Sequence, residues 1–202
     1  MRELNEALAD IEAIRRRMAA GTEFRGFGPT ALAATAGIAL ATAGLQFLVP
    51  PATALTFFVG WIVAAVLCVV LIAVEMVLRT GRAHGGLADA MLHQAIQHFL
   101  PAGFAGAAFA AIIARFSPDQ AWLIPGLWQV LVGLGLFAAA PSLPRGAMLA
   151  AAWYFVCGFA VMMMLAGQST ISPWAMALPF AIGQTVLALV IHRASGSDHA
   201  GL

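Results

Sequence analysis

Six long apolar runs constrain this chain more than any other feature. From Pro29 to His192 the only charged side chains are Glu75, Arg79, Arg82, Asp89, Arg115, Asp119 and Arg145. A soluble domain carries roughly 25% charged residues. Here 202 residues carry 9%, against 62% hydrophobic and a mean hydropathy of +0.91. A water-facing fold would leave much of that surface exposed, so the bilayer is the natural solvent. Crossing a hydrocarbon core of ~30 Å takes about 20 helical residues. The runs at 29–48, 52–78, 97–115, 121–140, 146–166 and 173–192 therefore predict six transmembrane helices. The second is long enough to project past the hydrocarbon or to tilt. Barrel strands would alternate polar and apolar residues, whereas these runs are apolar on every face. The expected class is an all-α integral membrane protein with the bilayer as its first partner. A net charge of +1 supplies no pull toward nucleic acid, which is excluded as a partner.

The runs also resemble one another in pairs. Ser117-Pro118 is followed by Trp122, Pro125 and Gln129; Ser172-Pro173 is followed by Trp174, Pro179 and Gln184. In both, the Gln stands eleven residues past the first Pro. The first pair is a degenerate copy, with Pro50 and Pro51 at its turn and Trp61 where the others carry Gln. The starts correspond as well, at Gly28-Pro29, Leu100-Pro101 and Leu143-Pro144. A period of about fifty residues predicts three hairpins, at about 29–78, 97–140 and 146–192. Two spans per unit give every unit the same orientation, so these are parallel repeats about an axis along the membrane normal.

Residues 1–21 form a separate unit. Leu4, Leu8, Ile11, Ile14 and Met18 recur at helical spacing, with acidic residues early and Arg15, Arg16 and Arg17 late. This predicts an amphipathic helix that lies on the membrane or docks a cytoplasmic partner or a second copy. Its charge predicts a retained N-terminus, not a cleaved signal peptide. Residues 22–194 then form the six-helix domain, and 195–202 a short tail. With the N-terminus inside, nine of the ten basic residues are cytoplasmic and only Arg115 lies opposite. That asymmetry predicts a multi-pass protein of a bacterial inner membrane with both termini cytoplasmic.

Few side chains inside the spans carry chemistry. Gln129 and Gln184 must find partners, because an amide left unpaired in hydrocarbon costs several kcal/mol. They either line a ligand site with Trp61 or join helices to one another. Pro125 and Pro179 are each expected to free a backbone carbonyl inside a span, as in the broken helices of transporter sites. Glu75 stands four residues before Arg79, which suits an ion pair on one helix face. Asp89, His93 and His98, with Glu75 near in depth and His84 upstream, are weak candidates for a metal or haem. The sequence assigns no cofactor. Cys68 and Cys157 read as small apolar residues. Without a Gly-x-Ser-x-Gly, a P-loop or any lysine, no enzyme signature is present.

The expectation is a binding or regulatory membrane protein. It would hold a small apolar or weakly polar ligand, or dock a cytoplasmic partner through its first helix. The alternative is a small transporter or channel for an uncharged solute or ion, with a pathway past Gln129 and Gln184. Dense small residues in several spans favour a tightly packed bundle over a wide pore.

Overall fold

A computed structural model of the chain describes residues 28–80, 87–168 and 170–197. The amphipathic segment carrying Leu4, Leu8, Ile11, Ile14 and Met18 lies outside these residues, as do His84 and most of the tail.

The described residues form six α-helices and two 3-10 segments, with no strand among them. They are α1 (Pro29–Leu48), α2 (Ala54–Thr80), α3 (Leu87–Phe116), α4 (Ile124–Ala138), α5 (Ala147–Leu165) and α6 (Trp174–Ser197). All six are long and apolar enough to cross a membrane, counting the 3-10 segment Pro118–Leu123 with α4. Five of them lie within a few residues of the runs expected from sequence; α3 starts ten residues before the expected 97, and α2 exceeds α1 by seven residues.

The helix limits follow from local chemistry. Pro29 opens α1, where its missing N–H costs nothing. Pro50 and Pro51 follow its last turn. At the start of α2, the Thr53 N–H donates to Thr56 Oγ1 at 3.1 Å and the Thr56 N–H donates to Thr53 Oγ1 at 3.2 Å. This reciprocal pair satisfies two amides that a helix start leaves without partners. Ser117 and Pro118 end α3, and the chain tightens into a 3-10 turn before α4 begins.

Each helix packs on the next, and α6 returns to α1, closing a ring. The seams are unequal. Among the described residues the most extensive are α4–α5 and α1–α6, and the thinnest is α2–α3. The α4–α5 seam is built on glycine. Gly126 and Gly158 face each other so closely that a Cβ on Gly126 would overlap the Gly158 carbonyl. A Cβ on Gly133 would stand 3.0 Å from the Ala151 carbonyl oxygen. Small residues let helix backbones approach and gain dispersion contact that lipid cannot match.

The core has two levels. At the end bearing Arg115, Phe57, Phe58 and Trp61 of α2 pack with Ala43, Ile124 and Met176. At the end bearing Arg145, Leu32, Met76, Leu136, Ala147 and Leu187 meet around Tyr154. Large apolar side chains such as Val63, Val66, Phe104 and Met163 point outward, consistent with contact to a lipid bilayer.

Candidate functional site in the bundle core

One group of polar side chains in the core converges on α6. Proline has no N–H, so Pro179 leaves the Ala175 carbonyl without its helical partner. Gln129, 4% exposed on α4, donates its Nε2–H to that oxygen at 2.9 Å. The neighbouring helix thus mends the break. One turn further along, Trp153 Nε1–H of α5 donates to the Pro179 carbonyl at 2.9 Å. The Tyr154 hydroxyl donates to the Phe180 carbonyl at 3.0 Å. Gln184 completes the group beside the Tyr154 hydroxyl. Gly183 makes this possible, because any Cβ there would overlap the Tyr154 ring. Two helices therefore hold α6 through its own backbone on both sides of Pro179.

Pro125 behaves differently from Pro179. It was expected to free a carbonyl inside a span, but it lies in the first turn of α4 beside the 3-10 segment. The Ala121 carbonyl it would have left open receives the Ile124 N–H instead.

Four of the buried polar side chains have an atom without a protein partner: Gln46 Oε1, Trp61 Nε1, Gln129 Oε1 and Gln184 Oε1. Trp61 is 5% exposed and belongs to the cluster that holds Ile124 and Met176, the level at which Gln129 meets Ala175. Gln184 stands nine residues beyond Ala175, or ~13 Å along α6 at 1.5 Å per residue. The sequence grouped Gln129, Gln184 and Trp61 at one site. The bundle brings Gln129 and Trp61 to one level and Gln184 to a second, against Tyr154.

Glu75 faces another helix. Its Oε1 accepts from Thr30 Oγ1 at 3.1 Å, and its carboxylate packs against Gly28 where no Cβ would fit. A carboxylate at the start of α1 suits the positive end of that helix. The side chains of the proposed partner Arg79 and of Asp89, His93 and His98 lie outside the described set. Among the described residues no three His, Cys, Asp or Glu side chains gather as a metal site would require. Cys68 is buried with its Sγ 4.0 Å from the Thr35 carbonyl, and Cys157 is half-buried.

Several residues of this arrangement escaped sequence reasoning. Tyr154 is the only tyrosine, stands mid-span, and follows Trp153, so a paired donor at that depth was a readable signal. Gln46 is a third amide within a span, near the end of α1. Trp128 is a third such residue. It joins three helices, donating to the Gly106 carbonyl of α3 at 3.1 Å and packing edge-on to Phe58 of α2 at 5.9 Å.

Compared with known protein families, curated proteins and solved structures, the chain has no match.

Proposed function

We propose that this is a binding protein of regulatory type in a bacterial inner membrane, taking a small apolar or weakly polar ligand into its helical bundle. Three parallel hairpin repeats form the body. Both termini face the cytoplasm on the strength of the arginine distribution, and residues 1–20 dock a cytoplasmic partner or a second copy. The observation that carries the ligand reading is the set of orphaned atoms in an otherwise apolar interior: Trp61 Nε1, Gln129 Oε1 and Gln184 Oε1. Buried polar atoms almost always have partners, and an amide oxygen kept in hydrocarbon without one is costly. A guest with one or two polar atoms and an apolar body satisfies them without introducing charge.

Gln129 also has a structural duty at Ala175, so its Nε2 serves the helix and only its Oε1 is offered to a ligand. Pro125 and Pro179 shape the backbone beside these side chains.

The test is native mass spectrometry of the protein in lipid nanodiscs, followed by extraction of retained small molecules. The wild type is expected to carry a guest that Gln129→Leu/Gln184→Leu loses. Proteoliposomes decide against the transporter alternative. Solute flux in the wild type that disappears in the double variant would replace the binding reading with transport. Removal of residues 1–20 is expected to abolish partner docking while leaving the guest in place.

A further inference from the structure

We propose that Gln46 and Trp61 together hold one hydroxyl group, supplied by a water molecule or by a small alcohol entering from the lipid. The inference shares Trp61 Nε1 with the ligand reading, gives that atom a different partner, and does not depend on Gln129 or Gln184.

Gln46 stands near the end of α1 and is 8% exposed. Its Nε2–H donates to the Phe57 carbonyl of α2 at 2.9 Å. The same nitrogen lies 2.5 Å from where a Cβ of residue 60 would stand, so Gly60 is what admits the amide. The other end of that amide, Oε1, is buried without a partner. Trp61 is the next residue of α2, and its indole centroid lies 6.4 Å from that of Phe57. Its Nε1–H is buried and equally without a partner. The Gln46 amide thus lies against the turn of α2, Phe57 to Trp61, that carries the indole.

The two orphaned atoms are complementary. Gln46 Oε1 can only accept, and the indole Nε1–H can only donate. A hydroxyl is the smallest group that accepts from one and donates to the other at once. A bare cation would serve only the amide oxygen, and an anion only the indole. The surroundings also favour a neutral guest. Ala39, Ala43 and Phe58 pack in the same cluster. Helix α1 carries no charge, and the nearest charged residue along α2 is Glu75, ~21 Å further at 1.5 Å per residue. A buried water needs two to four polar partners, which this pair begins to supply. An alcohol from the bilayer would offer the same hydroxyl with an apolar body suited to the aromatic cluster.

The experiment is solution NMR of the full-length 15N-labelled protein in nanodiscs, with the Trp61 indole resonance assigned through Trp61→Phe. The expected result is a rotating-frame Overhauser cross-peak between the Trp61 Nε1–H and water. If alcohol is the natural guest, added 1-hexanol instead produces a saturable shift and a cross-peak to its own protons. Either contact should disappear in Gln46→Leu and in Gln46→Met, with the other four indole resonances reporting an intact fold. A Trp61 Nε1–H in the wild type that contacts neither water nor alcohol overturns the proposal. So does a contact that survives both Gln46 variants unchanged.

Discussion

The α4–α5–α6 side and the α2–α3 side of the bundle are made from similar apolar sequence but held together in different ways. On the first side backbones approach over Gly126, Gly133 and Gly158, and side-chain donors reach the carbonyls of α6. On the second the described helices meet along the thinnest seam of the ring, and most of Phe99–Phe116 of α3 faces outward. The difference teaches where specificity resides in a membrane bundle. Apolar area cannot choose between a neighbouring helix and a lipid tail, because both are equally apolar. Close backbone approach and directed hydrogen bonds can choose, and they are concentrated on one side.

The largest expected effect tests the glycine seam. Gly158→Leu forces a side chain toward Val130 Cγ2 at 2.6 Å and the Gly126 carbonyl at 2.7 Å, and should destabilise the protein by about 3 kcal/mol or more. A Cβ at Gly103 on exposed α3 surface meets no atom within 4 Å, so Gly103→Leu should stay within ~0.5 kcal/mol. Unfolding midpoints in one detergent compare the two directly. Equal losses would erase the distinction between the sides.

Next comes Tyr154→Phe. It removes the bond to the Phe180 carbonyl inside the core, at an expected cost of ~1–2 kcal/mol by the same measurement. A neutral result would mean that packing alone seats α5 on α6.

A smaller effect isolates the mended break. Gln129→Leu should cost ~1 kcal/mol in the wild type, because Ala175 then lacks a donor. Pro179→Ala restores an N–H at residue 179, and in that background Gln129→Leu should cost less than ~0.5 kcal/mol. The double-mutant cycle measures the coupling, and additive losses would show that Gln129 does not act through the proline.

The smallest effect is dynamic. Spin-label pairs at exposed Val66 and Ala107 should give a broader distance distribution across the α2–α3 seam than pairs at exposed Leu134 and Val156 across α4–α5. Distributions of equal width would place the two seams on one footing.

Fold class was legible because the apolar period and the lack of charge are local properties. Runs such as 29–48 reappear as Pro29–Leu48 with no adjustment. The candidate site was legible in part. Gln129 was expected to find a partner because amides are costly in hydrocarbon, but its partner is a backbone carbonyl that sequence position alone does not single out. Reading it required knowing that α4 passes Ala175, four residues before Pro179. The separation in level between Gln129 and Gln184 was hidden for a related reason. Matching positions in two repeated runs do not impose a shared level once the runs pack against different neighbours. Pro125 read as a break because the sequence did not show that α4 begins beside it.

The closure of the ring through α1 and α6 bears on how the chain assembles. Helix α1 is the first of the six to leave the ribosome, and α6 is the last. The seam between them is the second most extensive in the bundle, so α1 must wait in the bilayer for most of synthesis before its main partner arrives. Helix α6 then enters with a carbonyl already uncovered at Ala175, beside an amide on α4 that is in place to receive it. Insertion of the final span is therefore the step that both completes a hydrogen bond and shuts the ring. A chain interrupted before α6 would leave α1 and Gln129 open to whatever helix the membrane next presents.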